Sequence, residues 1–133
     1  GVAVLGICLG MHLLFDSSEE GVETGLGLIP GVVKRLPVDS PVGLVRVPHM
    51  GWSRLECCRP HGLTEGIGEE ARFYFVHSYA VVPEHDSDII GVSTHGSRFV
   101  SAVARQNVLG VQFHPEKSHR YGKILLGNFL RGF

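Results

Sequence analysis

The chain has 133 residues, enough for one domain with its own hydrophobic core, since roughly 65–70% of the unfolded surface is buried at this size. Its 12 basic and 13 acidic side chains give a formal charge of −1, which excludes the one-signed field that draws nucleic acid or an anionic membrane. Cys8, Cys57 and Cys58 make an odd set whose only close pair is vicinal, with no secretory h-region before them, and this predicts a reducing, cytoplasmic setting. No apolar run reaches the roughly 18 residues a membrane-spanning helix needs.

The chain opens at Gly1 inside an apolar run and without an initiator Met, so it reads as the C-terminal portion (residues 1–133) of a single domain that lacks its N-terminal part. Residues 2–7, apolar on both sides and bounded by glycine, predict a central parallel strand covered on both faces. Cys8 ends that run, and residues 9–15 change to helical spacing through Leu9, His12 and Leu13. Gly25, Gly27, Pro30 and Gly31 punctuate a loop. Strand-like runs follow at 32–36, 42–47, 71–76, 79–82, 89–94, 99–105 and 108–113, with a hairpin turn at Asn107. Ile124, Leu125 and Phe129 predict a closing helix over 121–129. The expected architecture is α/β, with an antiparallel portion after the first helix and no internal repeat.

Gly6-Ile7-Cys8-Leu9-Gly10 has the form G-x-C-x-G, a nucleophile elbow in cysteine form, placed between strand and helix. The turn strains the nucleophile's backbone, and Gly6 and Gly10 let the flanking chain pass close because they lack Cβ. The helix N-terminus is expected to favour the thiolate of Cys8. A buried cysteine after an apolar strand is otherwise an ordinary small hydrophobe, so the pentapeptide alone leaves both readings open.

The second motif, about a hundred residues later, is Val111-Gln112-Phe113-His114-Pro115-Glu116. An apolar strand delivers His114, and Glu116 follows where it can orient the imidazole through Nδ1, giving nucleophile, base and orienting carboxylate. The remaining histidines, His61, His85, His95 and His119, show no metal-ligand spacing, and no metal or other cofactor is expected.

Together, Gly6-Ile7-Cys8-Leu9-Gly10-Met11 and His114-Pro115-Glu116 resemble the class I, triad-type glutamine amidotransferases. The strings Gly25-Leu26-Gly27-Leu28-Ile29-Pro30-Gly31, Val47-Pro48-His49-Met50-Gly51-Trp52, Phe73-Tyr74-Phe75-Val76-His77-Ser78-Tyr79 and His114-Pro115-Glu116-Lys117-Ser118 narrow the resemblance to glutaminase subunits of imidazole glycerol phosphate synthases. The resemblance implies a flavodoxin-like α/β fold, a mixed sheet flanked by helices, lacking its N-terminal strands. It implies hydrolysis of L-glutamine by Cys8, His114 and Glu116 in histidine biosynthesis. Ammonia would then pass to a cyclase subunit in a heterodimer.

By the same resemblance Leu9, Gly10, His12, His77, Ser78 and Tyr79 border the glutamine pocket, while His49, Met50, Trp52, Tyr74 and Lys117 face the cyclase, the Pro-His-Met-Gly-Trp segment being a loop. One oxyanion donor is the Leu9 N–H, and the family's other donor comes from upstream of Gly1. His12 stands where these subunits usually carry Gln; it either weakens the hold on glutamine or is compensated by His77 and Ser78. Three rivals remain: a class I glutaminase serving a different synthase, an interaction subunit that has lost turnover, and, less well supported, a cysteine hydrolase acting on peptides, since the elbow does not name the acyl group.

Overall fold

In the computed structural model, which describes residues 1–133, the opening apolar run becomes β1 (Val4–Ile7), and Cys8 leads into α1 (Leu9–His12). The helix is one turn long, not the seven residues its periodicity predicts. The carbonyls of Leu13 and Leu14 are taken instead by the N–H groups of Leu26 and Leu28, both at 2.8 Å, so the chain folds back before a second turn forms. Next come β2 (Ser17–Ser18), β3 (Gly31–Arg35), β4 (Asp39–Ser40), β5 (Gly43–Leu44), β6 (His49–Arg54) and β7 (Glu56–Cys57). The rest is β8 (Arg72–His77), β9 (Tyr79–Pro83), β10 (Ile89–His95), β11 (Ser97–Arg105), β12 (Val108–Val111) and α2 (His119–Arg131).

The main sheet runs β1-β12-β11-β9-β3-β2, and β10 also pairs with β11 and carries β7. It is mixed: β1 with β12 and β2 with β3 are parallel, the other pairs antiparallel. Within these 133 residues β1 is the outermost strand of the sheet, paired only with β12. β6 and β8 form a separate antiparallel pair from His49↔His77 to Arg54↔Arg72. Most of the segment 48–52, expected as a loop, therefore lies in a strand, and the expected strand at 42–47 shrinks to the β4–β5 hairpin.

Side chains alternate along β11, so consecutive residues serve opposite faces of the sheet. Ala102 and Ala104 join a cluster with Leu109, Val111, Phe73, Phe75, Phe113 and Leu125; Val103 joins Met11, Leu14, Phe15, Ile29, Val33 and Val81. One face thus packs against β8 and α2, the other against α1 and the segment after it. The Phe73 and Phe113 rings stack at 4.0 Å, clamping β8 against the chain that leaves β12.

Candidate active site

The parallel register of β1 and β12, Gly6↔Gly110 and Ile7↔Val111, brings Cys8 and Gln112 to the same end of the sheet. Cys8 and Gln112 each follow the last paired residue of their strand, the position where parallel α/β sheets present ligands and catalysts. Cys8 turns with φ 54° and ψ −109°, a positive φ that costs a non-glycine residue on the order of 1–3 kcal/mol. Gly6 is what permits the turn: a Cβ there would stand 2.6 Å from the Gly10 carbonyl oxygen and 2.8 Å from the Met11 nitrogen. Gly10 is different. A Cβ on it would meet nothing within 4 Å, so close approach is not its reason for being glycine.

His114 leaves the same end. Its backbone N–H donates to the Tyr74 carbonyl at 2.9 Å, and its own carbonyl accepts from the Ser118 hydroxyl at 2.6 Å, while Ser118 Oγ accepts from Tyr74 N–H at 3.0 Å. These bonds pin the Pro115–Lys117 turn to β8 and aim the imidazole; Nδ1 lies 2.8 Å from Glu116 Oε2. The imidazole is mostly buried and the carboxylate half exposed. Gly122 brings α2 against this turn, since a Cβ there would overlap the Pro115 carbonyl.

The Cys8 thiol is held elsewhere. It donates to the Val76 carbonyl at 3.8 Å and accepts from the Gln112 side-chain amide at 3.7 Å, and it has no hydrogen bond with His114. The expectation of a depressed thiol pKa is corrected: burial pushes it above its ordinary value, outweighing the Leu9 backbone N–H and the Gln112 amide, which pull it down. With α1 only one turn long, the helix field that was to favour the thiolate is small.

His12 is buried, and its Nε2 lies 2.7 Å from Gln112 Oε1. The glutamine oxygen is an acceptor, so Nε2 carries the hydrogen and Nδ1 keeps a lone pair. Nδ1 has no hydrogen-bond partner; Glu20 Oε1 is 4.0 Å away. Burial lowers the pKa of His12, with Gln112 and Glu20 opposing, and the ring is neutral near pH 7. Beside it is a cavity of about 280 Å³ lined by Leu9, His12, Leu13, Glu20, Glu23 and Thr24 among others. Of the predicted pocket residues, Leu9 and His12 line this cavity, while Gly10, His77, Ser78 and Tyr79 do not.

His77 is buried behind the site in a chain of hydrogen bonds. Its Nδ1–H donates to the Tyr79 carbonyl, which leaves Nε2 to accept from His49 Nδ1–H, and His49 Nε2 accepts from the Ser53 hydroxyl, each at 2.9 Å. Both rings are held neutral, mainly by burial: His49 is pushed down to about 3 and His77 to about 4. His49, 4% exposed, thus faces the core, which corrects its expected place on a partner-facing surface. Strand alternation sends its neighbours the other way, and Met50 is 64% and Trp52 46% exposed. Trp52 meets Tyr74 edge-on at 5.8 Å and stacks on His119 at 5.4 Å, and Lys117 is exposed nearby in the chain.

Two members of the site escaped the sequence reading. Gln112 is a lone fully buried polar residue in an apolar strand, and that mismatch was its only signal. Glu20 stands in no motif, and nothing in the sequence marked it. A wider depression of about 590 Å³ runs along Cys57, Arg59, Pro60, His61 and Thr64, but His61 Nδ1 is already used in accepting from the Leu63 N–H. No cluster of three or more His, Cys, Asp or Glu side chains is placed to hold a metal ion, and no helix is long and apolar enough to cross a membrane.

Residues 1–132 match the model of the family Glutamine amidotransferase class-I. Among curated proteins, the chain is 51% identical over 131 residues to the imidazole glycerol phosphate synthase subunit HisH of Nitrosospira multiformis, covering 96% of this chain and 61% of that protein. It is 49% identical over 130 residues to the subunit of the same name from Moorella thermoacetica, covering 97% and 60%. The chain therefore spans about three fifths of the length of these relatives. Among solved structures, a glutamine amidotransferase from Thermotoga maritima superposes with a TM-score of 0.57 at 17% identity, over 96% of this chain and 46% of that one. The glutaminase domain of Trypanosoma brucei CTPS gives 0.59 at 18%, over 96% and 60%. These likenesses fix the fold as the α/β mixed sheet with helices of that group, and the 133-residue chain belongs to the class I glutamine amidotransferase family.

Proposed function

We propose that the chain acts as the glutaminase part of an imidazole glycerol phosphate synthase, hydrolysing L-glutamine to glutamate and handing the ammonia to a cyclase subunit. The observation that carries the chemistry is the β1/β12 register, which sets strained Cys8 beside the strand that leads to the His114–Glu116 pair. The identity near 50% to HisH subunits supports the substrate and the partner.

In this reading the thiol swings from the Val76 carbonyl to His114, which takes its proton as Sγ attacks the side-chain amide carbon of glutamine. Contacts of this kind are often long in an unliganded site and tighten when substrate arrives. The Leu9 N–H donates to the developing oxyanion. Collapse breaks the carbon–nitrogen bond, His114 returns the proton to departing ammonia, and the acyl group stays on Cys8 as a thioester. Water, giving a proton to His114, then releases glutamate and the free thiol. Glu116 keeps Nδ1 protonated throughout, so Nε2 is the nitrogen that exchanges protons. Glu20 and the free Nδ1 of His12, both acceptors in the cavity next to Leu9, suit the ammonium group of an amino-acid substrate.

Met50, Trp52, Tyr74 and Lys117 supply the partner face, with aromatic anchors of the type that dominates interfaces. The 133 residues would form part of one amidotransferase domain, in a cytoplasmic setting that its three free cysteines suit. The rival, an interaction subunit without turnover, draws on the thiol's hydrogen bonds being with Val76 and Gln112 and not with His114. Glutamate release from glutamine in the presence of the cyclase subunit decides between them. Release abolished by Cys8→Ala supports the glutaminase; absence of release, or release indifferent to Cys8→Ala, contradicts it.

A further inference from the structure

Gln112 bridges two groups that the proposed mechanism treats separately. Its side chain is fully buried at the end of β12, with the backbone N–H fixed on the Ser101 carbonyl at 2.9 Å. One end of its amide accepts from His12 Nε2–H at 2.7 Å, and the other end donates to Cys8 Sγ at 3.7 Å. A primary amide is nearly symmetric in shape and opposite in polarity at its two ends, so its partners decide which end faces the sulfur. Turned over, it would point its carbonyl oxygen at the sulfur, repelling a thiolate and accepting from a thiol.

We propose that Gln112 is a catalytic residue whose amide N–H stabilises the Cys8 thiolate, and that His12 is the positioning residue that keeps this end of the amide turned to the sulfur. The proposal rests on the glutaminase reading and assigns two residues within it. It also gives His12 a definite role: any side chain at position 12 that donates to Gln112 Oε1 does the same work, and this includes the usual Gln. Because Gln112 is shielded from water, no solvent competes for its hydrogen bonds, and a donor to a charged sulfur gains strength there. When Cys8 loses its proton, the bond to the Val76 carbonyl disappears while the bond from Gln112 tightens. The amide therefore favours the deprotonated form specifically.

The test is the pH profile of Cys8 alkylation by iodoacetamide, read by peptide mass spectrometry in a Cys57→Ser/Cys58→Ser background. Gln112→Leu should move the midpoint up by about one pH unit, which is about a tenfold loss of thiolate near neutrality. His12→Leu should shift it in the same direction, His12→Gln should restore it, and the double Leu variant should move it no further than Gln112→Leu alone. Gln112→Met, unbranched and of similar length but without a donor, serves if Gln112→Leu does not fold. A folded Gln112 variant with the parent's profile overturns the proposal, and so do fully additive shifts in the double variant. A glutamine-shaped electrophile applied to the same proteins keeps the two claims apart. An adduct on Cys8 with an unmoved profile removes only the roles given to Gln112 and His12, whereas no adduct removes the glutaminase reading.

Discussion

Gly6→Ala and Gly10→Ala separate two positions that the elbow motif treats alike. At Gly6 the new Cβ would lie 2.6, 2.7 and 2.8 Å from the Gly10 oxygen, the Gly10 carbon and the Met11 nitrogen, all of them backbone atoms. Restoring ordinary contact requires a retreat of roughly 0.8 Å, and what retreats is the turn that carries Cys8. Overpacking of this kind costs about 1–3 kcal/mol, or about 4–12 °C of melting temperature at about 4 °C per kcal/mol. Misplacing a reacting atom by about 1 Å can cost a hundredfold in rate, so labelling of Cys8 by a glutamine-shaped electrophile should slow by well over tenfold. At Gly10 a Cβ meets nothing within 4 Å, and alanine there gains up to about 1 kcal/mol of helix propensity. Gly10→Ala should melt at or above the parent temperature and label normally. Thermal melts and labelling rates of both proteins form the assay. Equal losses in the two variants, or a Gly6→Ala protein that melts and labels like the parent, would refute the steric account of the elbow.

Acid should destabilise the fold through His49 and His77. Both are neutral when folded, whereas unfolded histidine takes up a proton near pH 6.5, so below 6.5 the unfolded state binds more protons and stability falls with pH until His77 charges near 4 and His49 near 3. The slope approaches about 1.4 kcal/mol per unit for each ring well below pH 6.5, so the loss from pH 6.5 to pH 5 is on the order of 3 kcal/mol, visible as a falling urea midpoint; a flat midpoint over that interval contradicts the assignment. Glu116→Gln should lower kcat for glutamine hydrolysis by about a hundredfold or more with little change in KM, since its part is to orient His114 and not to hold substrate, and an unchanged kcat would count against the triad. Asn128→Leu removes the amide that donates to the Leu63 carbonyl at 2.9 Å and the Glu65 carbonyl at 2.8 Å. Orphaning the buried Leu63 acceptor and the partly buried Glu65 one should cost about 1–3 kcal/mol in denaturant unfolding, and a neutral result would mean that water replaces the amide.

The elements legible in the sequence were those whose pattern coincides with their burial. β8 through β12 and α2 appear within a few residues of their periodic runs, and the Gln106-Asn107 turn joins β11 to β12. Residues 42–47 have strand composition but pair only at Gly43 and Leu44, with the two-residue β4, and Val42 and Leu44 end up exposed on that hairpin. The segment 48–52 is a loop by resemblance alone, yet pairing with β8 makes His49–Arg54 a strand and turns His49 inward. The environment of Cys8 was the least legible. The motif names a nucleophile, but its raised pKa comes from burial, and its donor, Gln112, follows a strand about a hundred residues away. Neither is a property of the pentapeptide.

The central claim is that Cys8 forms the covalent bond to the glutamine carbon skeleton. Treating the protein with a diazo-ketone analogue of glutamine and mapping the adduct by mass spectrometry tests this directly, because the exposed Cys57 and Cys58 serve as internal controls for plain thiol reactivity. The account predicts one adduct, on Cys8, suppressed by excess L-glutamine and lost in His114→Ala. Modification of Cys57 or Cys58 with Cys8 untouched would contradict it.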